Sequence, residues 1–148
     1  MDTTIDSDIQ LGDVATDNVE GGRLAARGLA EQIGGKGKVF VVNVKPGIST
    51  TDLREQGFRE AIEQEFPDIE YLGQEYCDND SNIAAQIVSA RLQSDPDLSG
   101  IFGTNLFAAQ GAAAALRQQN LQGKVKMVGF DAGPTQVQDL KSETVDLL

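Results

Sequence analysis

The sequence predicts an α/β fold built on a doubly wound, Rossmann-like parallel sheet. Three observations carry that prediction. Short apolar, β-branched runs alternate with segments of helical period along the whole chain. The clearest run, "KVFVVNV" at residues 38–44, is almost continuously apolar, as in a strand covered on both faces. Glycine or proline punctuates many of the joins, as at "GGKG", Pro67 and Pro96.

Taken in order, "GDVATDN" offers a short strand near residues 13–16, and Asp17 or Asn18 can cap the helix that follows. That helix, over residues 19–33, sets Leu24, Gly28, Leu29 and Ile33 along one side. Residues 38–44 form the next strand. A helix over 51–65 carries Phe58, Ala61 and Ile62 and stops at Pro67. "IEYLGQEY" (69–76) is a strand. "DNDSNIAAQIVSARLQSDP" opens on capping residues and places Ile83, Ile87, Val88 and Leu92 on one helical face. "GIFGT" (100–104) is a short strand. "NLFAAQGAAAALRQQ" is an alanine-rich helix in which Gly111 allows close approach to the sheet. "KVKMVGFD" (124–131) is a strand, "TQVQDLKSE" a helix, and "TVDLL" begins a final strand. Repeated βαβ units of this kind give a parallel sheet with helices on both faces.

The length, 148 residues, suits one domain with its own core. A formal net charge of -11 repels phosphate backbones and argues against nucleic-acid binding. One cysteine and no histidine exclude internal disulfides, Cys/His zinc sites and histidine-dependent triads. No cofactor or metal is therefore expected. Asp78, Asp80 and Asn82 have calcium-loop spacing but lack the glycine and glutamate such a loop needs, so capping is the better account. "GGKGK" precedes a strand, whereas a phosphate loop follows one. No apolar run reaches membrane-helix length, and "MDTTIDSD" shows no secretion signal.

In open parallel sheets, ligands bind beyond the carboxyl ends of the strands. The residues there are Ser49, Thr50 and Arg54; Cys77, Asp78 and Asn79; Thr104 and Asn105; and Asp131. An arginine near a helix start gains nothing from the helix dipole, so Arg54 is either incidental or aimed at something. Arginine, asparagine and aspartate from three connections suit an uncharged, polyhydroxylated ligand. They equally suit a mutual salt bridge, and Asn105 and Asp131 have a further role open to them as helix caps.

The order of motifs resembles the sugar-binding proteins of ABC transporters of the ribose-binding type (periplasmic binding protein type I). The matching stretches are "TIDSDI" (4–9), "TDNVEGGRLAA" (16–26), "GKGKVFVVNVKPGISTTDLREQGFREAI" (35–62), "IFGTNLFAAQGAAAAL" (101–116) and "KVKMVGFDAGP" (124–134). Lactose-repressor-type regulators share this core. The resemblance implies two similar lobes closing on a ligand, with this chain as the second lobe and residues 1–12 as a remnant of the hinge and first-lobe edge. It also implies a truncated protein, lacking the crossing segment that follows Leu148 in the family.

By the same resemblance Arg54, in "R-x-x-G-F", contacts the sugar. Asn105 matches the asparagine of the family's "N-D" pair, with Leu106 in place of the aspartate. Asp131 matches "G-F-D", and Asp6 matches the aspartate at the first lobe's edge. Cys77 falls where the family often stacks an aromatic ring, with Tyr76 beside it. The expected function is thus binding of a monosaccharide, without catalysis. The expected partner is an ABC permease, and the expected location is periplasmic or extracellular, with lipid anchoring compatible. Self-association through the exposed interlobe face is a further expectation. The alternatives are the effector-binding core of a regulator and a small α/β enzyme; the missing histidine, and the lack of a nucleophile beside a base, disfavour the enzyme.

Overall fold

The computed structural model describes residues 14–148. The elements are α1 (Asn18–Gln32), β1 (Gly37–Asn43), α2 (Ser49–Glu65), β2 (Ile69–Tyr76), α3 (Ser81–Ser94), β3 (Leu98–Gly103), α4 (Leu106–Gln119), β4 (Lys126–Gly129) and α5 (Pro134–Lys141). The four strands form one sheet in the order β2-β1-β3-β4, and each neighbouring pair is parallel. The fold class is the doubly wound α/β sheet that the sequence predicts.

Strand periodicity splits the core into two layers. Val39 and Val41 of β1 pack with Ala26 and Leu29 of α1 and Phe58 and Ile62 of α2. Phe40 and Val42 point the other way, onto Ala84 and Val88 of α3 and Ala112 and Leu116 of α4. Phe58 stacks on Phe102 with ring centroids 4.9 Å apart. The chain leaves β1 for β2 on one side and returns across it to β3 on the other. The carboxyl ends of β1 and β3 therefore flank the switch point, where open sheets of this class form a crevice.

Four expectations need correction. Residues 14–17 form no strand, and Val14 is 84% exposed; a lone apolar residue with no ladder beside it gains nothing from extending. Asp13 lies outside the described residues. The last residues, expected to begin a strand, make one parallel bridge, Val128 to Leu147. Leu24 is 60% exposed, because α1 turns Gly22, Ala25, Ala26, Leu29 and Ala30 inward instead. Gly111 serves a helix contact rather than a sheet contact, since a Cβ there would lie 2.3 Å from the Ser81 carbonyl oxygen of α3.

Asp80 caps α3, its carboxylate accepting from the amides of Asn82 and Ile83 at 2.6 and 3.3 Å. Asp80→Ala should cost about 1 kcal/mol of stability. Urea denaturation of the two proteins checks this, and an unchanged midpoint would show that the cap contributes nothing.

Candidate functional site

Helix side chains tilt toward the helix N-terminus. Arg54, in the second turn of α2, therefore reaches back toward the ends of β1 and β3. It is 5% exposed. Its Nε donates to Asn18 Oδ1 at 2.8 Å and its Nη1 to the Thr104 carbonyl at 2.9 Å. Its guanidinium carbon lies 3.6 Å from the ring centroid of Phe130. A cation held over an aromatic face is attracted by the ring quadrupole.

Arg54 forms part of the wall of a cavity of about 670 Å³ beyond the strand ends. Lys45 and Ile48 line it from the β1–α2 connection, Thr50 and Thr51 from the first turn of α2, Asp78 and Asn79 from β2–α3, Asn105 from β3–α4, and Asp131 from β4–α5. Thus the structure brings Arg54, Asn105 and Asp131 to one cavity.

Asn105 and Asp131 also meet the start of α4, in the capping roles left open above. Asn105 Oδ1 accepts from the Ala108 amide at 3.0 Å, and its Nδ2 donates to Asn79 Oδ1 at 2.7 Å. Asp131 Oδ2 accepts from the Leu106 amide at 3.0 Å, where the positive end of α4 favours a carboxylate. Asp78, Asn79 and Asp131 all have left-handed backbone, with φ of 50°, 60° and 73°. Non-glycine residues rarely take that conformation, and such strain gathers at ligand sites.

Cys77 is not brought to the cavity. Its amide donates to the Asn43 carbonyl at 2.9 Å, extending the pairing of β1 with β2, and its side chain is fully buried with Val42, Ala84 and Val88. Burial pushes its thiol pKa up. The next two residues, Asp78 and Asn79, face the cavity instead. Asp6, and with it "TIDSDI", lies outside the described residues.

Four supporting residues were not anticipated as such. Asn43, fully buried at the end of β1, donates to Gln74 Oε1 at 2.8 Å and to Asp52 Oδ1 at 3.3 Å. Its Oδ1 accepts from the Thr104 hydroxyl at 3.0 Å. Thr104 thus ties Asn43 to Arg54. Gln136, also fully buried, donates to the Phe130 carbonyl and accepts from the Gly133 amide, which holds the loop bearing Asp131. Asn18, offered by sequence as an alternative cap, binds Arg54 while Asp17 does the capping. A polar residue inside the apolar run "VFVVNV" was the available signal for Asn43.

Chemically, the cavity offers a fixed cation, carboxylates and amides. Among the described residues no three Cys, Asp or Glu side chains stand together as metal ligands, and no helix is long and apolar enough to cross a membrane.

The profile of the family described as "Periplasmic binding protein domain" matches residues 1–148. The chain belongs to this family. An ABC transporter solute-binding protein from Agrobacterium vitis, solved with bound α-D-tagatopyranose, is 47% identical with a TM-score of 0.91, over 96% of this chain and 47% of that one. The ribose import binding protein of Bacillus subtilis is 31% identical over 93% of this chain and 45% of its own length. A ribose operon repressor from Halalkalibacterium halodurans is 30% identical over 90% of this chain and 39% of its own. The chain thus spans less than half the length of these relatives. As a family member it has the periplasmic binding protein type I fold, with the strand-end cavity at the switch point.

Proposed function

We propose that this chain is one sugar-binding lobe of an ABC importer's solute-binding protein. It holds a pentose or hexose between itself and a second lobe, and presents it to a membrane permease from the periplasmic or extracellular side. It performs no covalent step. The observation that carries this reading is the cavity around Arg54, where guanidinium, carboxylate and amide groups converge from four strand-end connections. Guanidinium donates to two hydroxyls and a carboxylate accepts from two, so the set fits a polyol ring. The relatives named for ribose import and the tagatose-bound structure support the same ligand class.

Arg54 and Asp131 are the principal sugar contacts, and Asn105 and Asn79 form an amide pair at the rim. Saturation-transfer NMR with a panel of pentoses and hexoses tests this, because it detects millimolar binding of the kind half a cleft would give. Transfer to at least one sugar is expected. Asp131→Asn, which keeps an acceptor for the Leu106 amide but loses the charge, should weaken it about tenfold. No transfer to any pentose or hexose would count against the reading.

The repressor relative favours a second reading, the effector-binding core of a regulator acting through the same cavity. The gene decides between them: a DNA-binding segment encoded upstream supports the regulator, and an export signal supports the importer.

A further inference from the structure

We infer that Asn18 is the positioning residue for Arg54, and that a glycine-to-glycine crossing of α1 and α2 sets the distance between them. This rests on the sugar reading for its purpose but not for its geometry. A Cβ at Gly22 would lie 1.9 Å from the Arg54 carbonyl oxygen, and one at Gly57 would lie 1.9 Å from the Val19 carbonyl oxygen. The two helix backbones touch at these points. Asn18 sits four residues before Gly22, and Arg54 three before Gly57, so each lies on the same helix face as its glycine. The crossing therefore brings Asn18 against Arg54 in the first turn of one helix and the second turn of the other.

Arginine has a long side chain that loses much rotamer entropy on fixing. Among the described residues, three contacts restrain three parts of it. Phe130 covers one face. The Thr104 carbonyl takes Nη1. Asn18 Oδ1 takes Nε, which sets the roll of the plane about its own axis and hence the edge turned to the cavity. Asn18 is itself oriented, since its Nδ2 donates to the Thr16 carbonyl at 3.1 Å. Both Asn18 and Arg54 are at most 5% exposed, so water competes weakly for this bond. The motif pair "TDN…GG" and "R-x-x-G-F" is then one device: the glycines bring the helices together and the asparagine aims the arginine.

The test records ¹⁵N–¹H spectra of arginine Nε–H groups in the whole chain, with the Arg54 signal assigned by its loss in Arg54→Lys. Asn18→Leu keeps the side-chain volume and removes the acceptor, whereas Asn18→Asp keeps the acceptor. The expected result for Asn18→Leu is solvent exchange of the Arg54 Nε–H at least about tenfold faster, and binding of D-ribose and D-tagatose about tenfold weaker. Asn18→Asp should restore both. If Asn18→Leu does not fold, Asn18→Ala carries the same comparison. An unchanged Nε–H in the variant lacking the acceptor, or rescue by leucine rather than aspartate, would overturn the inference. Failure of the wild-type chain to respond to either sugar would count against the sugar reading alone, because the Nε–H signal is read without ligand.

Discussion

Arg54→Met should abolish detectable sugar binding and lower stability by about 3 kcal/mol or more. Methionine keeps the apolar stem and removes every donor. The Thr104 carbonyl and Asn18 Oδ1 then lose their donor in a buried site, at about 1–3 kcal/mol each. The Phe130 ring loses the cation above it. Binding and folding fail together because the same guanidinium serves both: it is tied to α1 and to Thr104, just past β3, on one side and lines the cavity on the other. Urea denaturation reads the stability and the sugar titration reads the binding. A variant that lost binding at full stability would mean that the contacts to Asn18 and Thr104 are worth little. A variant that kept binding would remove Arg54 from the site.

Gly57→Ala, like Gly22→Ala at the same helix crossing, should be a costly addition of a single methyl group. The added Cβ would meet the Val19 carbonyl oxygen at 1.9 Å and its carbon at 2.8 Å. These are backbone atoms, so no rotamer change relieves the clash, and α1 must move away from α2. Overpacking of this kind costs about 1–3 kcal/mol or more, and alanine's better helix propensity returns about 1 kcal/mol at most. A net loss of about 2 kcal/mol is expected. The displacement also pulls Asn18 away from Arg54, so sugar affinity should fall with stability. Circular dichroism during denaturation checks the first effect. An unchanged or raised midpoint would show that the helices accommodate the methyl, and would undercut the role assigned to the crossing.

The parts of the fold that could be read from sequence were those decided by burial alone. "KVFVVNV" is a central strand because both its faces are covered, and Phe58, Ala61 and Ile62 mark the inner face of α2 because they recur at i, i+3 and i+4. Positions that depend on tertiary partners were harder. Val14 reads as strand but has no ladder. Leu24 fits a helical stripe that α1 rotates out of the core, where it borders an apolar groove with Phe130, Leu147 and Leu148.

The site divides in the same way. Arg54, Asn105 and Asp131 were legible because strand-end position and residue type agree with a cavity at the switch point. Cys77, expected at the site from its place after the strand and from the resemblance, turns inward instead: the pairing with β1 runs one residue further, and the thiol lies in the core. Only a left-handed turn at Asp78 and Asn79 then presents side chains to the cavity, and neither residue type forces that turn. Asn18 was hidden behind Asp17, since both are good caps and only the crossing of α1 with α2 shows which one is needed elsewhere.

The most direct test of the central claim is an amide NMR titration of this chain with D-ribose and D-tagatose. Millimolar, saturable shifts confined to residues 44–54, 78–79, 104–108 and 130–133, which surround the cavity, are expected. Shifts centred elsewhere, such as the outer face of α3 and α4, or no saturable shift with either sugar, would contradict it.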